Sequence, residues 1–229
     1  MLADRLVLVG DHEQLPPVVR AETDLERSLF ERLIETHPEA AVTLTEQYRM
    51  AQRIQSFPAR EFYDDRLRPA TPAVAGQSLG DLPGVDPSAL PAHLRDPVAY
   101  VDPDGTADGH TNPTEARAVA EVIAAYREAG LDPEQIGVIA PYRAQVGEID
   151  GRVPEGVAVD TVDRFQGSSK EVIVLSFVAT GRLEGPIFED HRRVNVALTR
   201  AKKALVLVGD RAALTTEDTY RRMVEWADR

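Results

Sequence analysis

Apolar residues in this chain come as short continuous runs separated by longer segments with helical spacing. Residues 5–9, 41–44, 98–101, 136–140, 157–160, 172–178 and 204–208 are runs of Val, Ile, Leu and Ala, which predict strands buried on both faces of a parallel sheet. Helices are predicted at 25–34, 114–129, 194–201 and 219–227. The second of these has Asn112-Pro113 as its start signal and Gly130 as its stop. Strands alternating with helices imply right-handed crossovers and an α/β fold, a parallel sheet flanked by helices. Residues 69–97 are rich in Pro, Gly, Ala and Asp without a period and predict a long surface excursion.

Composition narrows the class. At 229 residues with 43% hydrophobic content, there is enough chain for one large domain and a fragment of another. The absence of cysteine removes disulfides and thiolate metal sites and predicts a reducing, cytoplasmic setting. No apolar run is long enough to span a bilayer, so no membrane is expected. The net charge of −12 is unevenly spread. Between residues 160 and 203, eight basic residues face six acidic ones, giving +2 and leaving −14 for the rest. Lysine occurs only at 170, 202 and 203. Arginine over lysine with many carboxylates fits either a high-salt organism or a GC-rich genome.

Four motifs carry chemistry. Gly10-Asp11-x-x-Gln14-Leu15-Pro16-Pro17 follows an apolar run, where a glutamine amide can report on a phosphate by donating to it. Gln47-Tyr48-Arg49 offers a flat ring and a planar cation, and the fork of Arg49 suits a phosphate. In the run from Asp160 to Glu171, Thr161 supplies a hydroxyl, Gly167 allows close backbone approach and Glu171 can accept from a ribose hydroxyl. Arg193-x-Asn195-Val196-Ala197-Leu198-Thr199-Arg200-Ala201-Lys202 predicts a helix that packs Val196, Leu198 and Ala201 inward and projects Arg200. A cation held rigidly there can stabilise charge on a transferring phosphoryl group. Besides these, Pro141-Tyr142-Arg143 follows a strand end, a place for a strand's base or backbone. The five histidines show no metal-ligand spacing, predict surface positions, and leave no metal site to propose.

In this order the runs resemble motifs III to VI of superfamily 1 helicases. Gln-Leu-Pro-Pro after Gly-Asp resembles the branch of the nonsense-mediated decay helicase and the Okazaki-fragment helicase–nuclease. The resemblance implies two RecA-like domains of the P-loop NTPase kind, with ATP and Mg²⁺ between them and a strand of DNA or RNA across both. It implies that Gln14 senses the γ-phosphate while Arg49 and Arg200 contact it. Asp11, Tyr48, Gly167 and Glu171 then lie around the nucleotide, and Tyr142, Arg143 and Thr161 touch the strand. Translocation from 5′ toward 3′ is implied for the branch. Neither the Gly-x-x-x-x-Gly-Lys-Ser/Thr loop nor an Asp-Glu strand end for Mg²⁺ occurs in this sequence. Residues 1–20 are therefore expected to be the last piece of a first RecA-like domain, and 21–229 the second. The expected role is the C-terminal half of an ATP-dependent motor that needs its first domain in cis or trans; the alternative is a non-hydrolysing nucleic-acid-binding or regulatory module.

Overall fold

The computed structural model describes residues 6–16 and 28–229. Helix α1 (Leu29–Thr36) opens on Ser28, whose side chain accepts from the Glu31 amide. A two-residue strand β1 (Glu46–Gln47) leads to α2 (Gln52–Phe62), β2 (Arg68–Pro69) and the single turn α3 (Pro72–Ala75). There follow β3 (Val98–Val101), α4 (Pro113–Glu128), β4 (Ile136–Ala140), α5 (Arg143–Asp150), β5 (Ala158–Thr161) and α6 (Val162–Phe165). The chain continues through β6 (Lys170–Ser176), α7 (Pro186–Glu189), α8 (His191–Leu198), β7 (Ala201–Val208), α9 (Arg211–Leu214) and α10 (Asp218–Ala227).

Five strands pair in the order β3-β7-β6-β4-β5, all parallel, while β1 and β2 form a separate two-stranded parallel pair. Alternation along each strand sorts the core into two layers. Ile173, Leu175, Leu205 and Leu207 meet α2, α6, α8 and α10 on one face. Val172, Val174, Ala204, Val206 and Val208 meet α4 and α5 on the other. This is the α/β architecture that the runs predict, a parallel sheet flanked by helices. Asn112 caps α4 through its side-chain oxygen, and Gly130 beyond its end takes φ +102°, so both punctuation marks act as anticipated.

Four expectations are corrected. Residues 6–9 of the run at 5–9 form no strand and lie in the open, Val7 being 86% and Val9 93% exposed; Arg5 lies outside the described residues. No described strand of this chain pairs with them, and an apolar run becomes a buried strand only when neighbours hydrogen-bond it on both sides. The strand expected at 41–44 falls instead at Glu46–Gln47, leaving Val42 and Leu44 exposed. The stretch 69–97 runs outside the sheet but is not merely surface, since Leu79, Leu90 and Leu94 are buried against the α4 layer through a series of 3-10 turns. The helix expected at 25–34 begins only at Leu29; its residues 25–27 lie outside the described residues, as does Pro17.

Candidate nucleotide and strand site

Two parallel strands define the first part of the site. Arg200 stands in the turn between α8 and β7, two residues past the helix end, so its side chain turns inward instead of projecting. It is only 2% exposed. Its Nε donates to the Val196 carbonyl at 2.9 Å and Nη2 to Thr199 Oγ1 at 2.9 Å, while Nη2 also reaches Gln14 Oε1 at 3.4 Å. Nη1 reaches the Ser168 carbonyl at 3.4 Å, where the motif around Gly167 ends. Burial, and then the neighbouring positive charge of Arg49, push the Arg200 guanidinium down to about 10, still charged at neutral pH.

Arg49 follows β1 and is half-buried. Gln47 shapes this turn, its side-chain oxygen accepting from the Arg49 and Met50 amides at 2.8 and 2.7 Å. Arg49 Nη1 donates to the Thr199 carbonyl at 3.0 Å, beside Arg200. Burial lowers its affinity for its proton as well. Two guanidiniums thus converge, and among the described residues neither forms an ion pair with a carboxylate, although the charge of Asp11 acts on Arg200 through space. Holding like charges together in a half-dry place costs free energy unless an anion is meant to join them.

The loop carrying Gln14 reaches Arg200. Gln14 Nε2 donates to Asp11 Oδ2 at 2.7 Å, leaving its oxygen toward Arg200. The Tyr63 hydroxyl, just past α2, donates to the same Asp11 oxygen at 2.8 Å and accepts from Asn195 Nδ2 at 2.9 Å. Burial, then the Asp11 charge, keep that phenol protonated far above its usual range. Asn195, fully buried on α8, also donates to the Glu13 carbonyl at 2.7 Å, and Gln166 Nε2 donates to the Leu15 carbonyl at 3.1 Å. Tyr63 and Gln166 were not among the sequence candidates; Tyr63 lies outside every motif, Gln166 sits beside Gly167 within one, and only the fold brings them to this loop.

Beside Arg49 opens a cleft of about 390 Å³ lined by Gln47, Tyr48, Arg49, Met50, Ser169 and Lys202. Tyr48 is 72% exposed, its ring free to take a flat partner. Gly167 turns the neighbouring loop at φ +87°. Glu171, at the start of β6, accepts from Lys202 and Lys203 Nζ, each at 2.8 Å. Burial opposes its charge, but the two lysines overcome this and hold the carboxyl below its usual range. Its oxygens are thus engaged in this state.

The remaining candidates sit elsewhere. Arg200 and Glu171 lie where β7 and β6 begin, whereas Thr161 ends β5 and Tyr142 follows the end of β4. In a parallel sheet these are opposite edges, separated by about 3.3 Å per strand residue. Thr161 pairs in register with Ala140, which brings it to the same edge as Tyr142. Arg143 opens α5 and is exposed. The structure therefore gathers Asp11, Gln14, Arg49 and Arg200 with Tyr48, Gly167 and Glu171 adjoining, and places Tyr142, Arg143 and Thr161 apart from them.

Comparison with known proteins gives the family. A profile described as an AAA domain matches residues 25–212. An uncharacterised ATP-dependent helicase of Methanocaldococcus jannaschii is 36% identical over 97% of this chain and 35% of its own length. The DNA replication ATP-dependent helicase/nuclease DNA2 of Xenopus laevis is 36% identical over 97% of this chain and 24% of its own. The regulator of nonsense transcripts 1 homolog of Drosophila melanogaster is 33% identical over 98% and 20%. The chain thus spans about a fifth to a third of the length of these relatives. A solved viral helicase, PRRSV nsp10, covers 71% of this chain and 23% of its own at 16% identity, with a TM-score of 0.34, too loose to argue from. The profile covers most of the chain, so the chain belongs to this AAA-domain family, and its motifs resemble those of superfamily 1 helicases.

Proposed function

We propose that this chain is the C-terminal half of an ATP-dependent nucleic-acid helicase or translocase. The observation that carries the reading is that Arg49 and Arg200 meet at Thr199, neither in an ion pair among the described residues, and that Arg200 reaches a Gln14 itself oriented by Asp11. Such a donor set fits the terminal phosphates of ATP. Bound ATP would supply the phosphoryl group whose hydrolysis powers movement. Arg200, fixed by backbone carbonyls, would hold positive charge against the γ-phosphate region, and Arg49 would add a second donor. Gln14 would read the presence of that phosphate, and Tyr48 would lie against the adenine over the cleft. Asp11 is taken up by Gln14 and Tyr63, so Mg²⁺ would be held by the part of the first RecA-like domain that supplies the phosphate loop. The same reading makes 1–20 the end of that first domain and 21–229 the second. Single-stranded or partly duplex DNA or RNA would cross the opposite sheet edge at Tyr142, Arg143 and Thr161.

The test is strand-stimulated ATP hydrolysis by this chain joined to a first domain, in cis or in trans. Alone, the 229-residue chain is expected to hydrolyse almost no ATP. In the assembled motor, Arg200→Ala is expected to lower kcat by roughly 10³–10⁵-fold. Robust turnover by the chain alone, or full activity of the Arg200→Ala motor, would overturn the proposal.

A further inference from the structure

At the carboxyl edge of the sheet, Tyr142 does not stand alone. The imidazole of His110 lies parallel to its ring, centroids 4.3 Å apart and planes within 16°. We propose that His110 and Tyr142 form a two-ring platform on which one base of a single nucleic-acid strand stacks, which makes His110 a binding residue. This rests on the reading above that a strand crosses this edge.

Both rings are held in place by the backbone around them. Tyr142 is the N-cap residue of α5, and its hydroxyl donates to the Glu184 carbonyl at 3.2 Å. Gly185 follows at φ +106°, and a side chain there would strike the Tyr142 hydroxyl, so glycine leaves the ring its place. His110 rides on a small hairpin in which Asp108 and Thr111 exchange backbone hydrogen bonds of 2.8 and 3.1 Å around Gly109. The Ala107 amide ties that hairpin to Thr180 Oγ1 at 3.0 Å. Beneath the pair, a buried amide clamp joins the two segments. The Asn112 amide donates to Gln145 Oε1 at 2.8 Å, and Gln145 Nε2 donates back to the Asn112 carbonyl at 3.2 Å. The clamp lies two residues beyond His110 and three beyond Tyr142, so it sets the distance between the rings.

His110 itself is exposed, so the stack is not there to fill the core. A fixed column of two rings at the surface extends naturally by a third, and every base has a face to offer, whatever its identity. The exposed Arg143 beside Tyr142 and the Thr161 hydroxyl on the adjacent strand end supply polar contacts for the backbone of such a strand.

The test is binding of a short fluorescein-labelled oligothymidylate, and its oligouridylate counterpart, to the 229-residue chain at low ionic strength. Anisotropy gives the affinity, and quenching of a 2-aminopurine base placed in the strand reports stacking directly. His110→Ala is expected to weaken binding roughly 5- to 150-fold, the loss of one stacked base, and to abolish the quenching. His110→Phe is expected to restore both. If Tyr142→Ala and Arg143→Ala weaken binding while His110→Ala leaves it unchanged, the strand path stands and the platform falls. Tighter binding by His110→Ala would also overturn it, making His110 a cover that a base must displace. No binding by the wild type would remove the strand reading at this edge, and the platform with it.

Discussion

Among the described residues, Arg200 and Glu115 are the charged side chains that the fold takes almost wholly out of water, one at each edge of the sheet. Arg200 keeps its charge because four donor contacts replace its hydration. Glu115 answers burial differently. It sits in the first turn of α4 and accepts from Ser176 Oγ at 2.7 Å, the Val178 amide at 2.9 Å and Asn112 Nδ2 at 3.3 Å. Desolvation outweighs these bonds, so its carboxyl is pushed up to about 7. An unfolded glutamate ionises near 4.3. Between those two values an unfolded Glu115 has released a proton that the folded one keeps, so its contribution to stability falls as pH rises, then levels off above about 7. The stabilising contribution is complete below the unfolded value and is gone above the folded one. Glu115→Gln removes this titration. The wild type is expected to lose roughly 4 kcal/mol relative to that variant between the two values. Urea unfolding of both proteins across pH 4.5 to 7.5 checks it, and a constant difference would show that Glu115 does not titrate there.

Elements were legible where burial on both faces left nothing but apolar residues, as in β3, β4 and the second half of β7. They were misread where an apolar run had no partner, at 6–9 and 41–44, because alternation and hydrophobicity report a strand's faces and say nothing of its neighbours. The stretch 69–97 hid its role for another reason: Leu79, Leu90 and Leu94 reach the core through 3-10 turns, which impose no period on the sequence. The motifs name Gln14, Arg49 and Arg200, but the inward turn of Arg200 and the link through Tyr63 depend on where α8 and α2 stop. Gly130 joins the legible and the hidden. It ends α4, and a side chain on it would strike the Gly84 carbonyl, while the Asp86 amide donates to the Ala129 carbonyl at 2.8 Å. Gly130→Ala is therefore expected to cost roughly 2–4 kcal/mol, from positive φ and from displaced backbone. Gly151→Ala is its control. That glycine also follows a helix, but at φ −68° with only the Gly147 carbonyl nearby, at 3.6 Å, so the change is expected to be neutral or slightly stabilising. Equal denaturation midpoints for the two variants would contradict this account of the helix end.

On the scale of the whole molecule, one sheet keeps two chemistries apart: converging cations where β6 and β7 begin, and a stacked ring pair where β4 ends. The charge that surrounds them acts in opposite directions on folding and on binding. With 38 acidic and 26 basic residues, the surface outside the motif region repels itself, and many of its ion pairs are exposed pairs of small individual worth. Raising salt shortens the reach of that repulsion from ~30 Å at 0.01 M to ~3 Å at 1 M. KCl is the salt to use, because sulfate would strengthen apolar burial in any protein. The melting temperature is expected to climb by several degrees between 0.01 and 1 M KCl, each kcal/mol of relief being worth about 2–4 °C for a chain of this size. The proposed strand binding is expected to move the other way over the same range, since the cations of added salt compete with Arg143 and its neighbours for the phosphates. A melting temperature that stays level or falls would mean that the carboxylates are already neutralised within the fold, and the excess of negative charge would carry no energetic consequence.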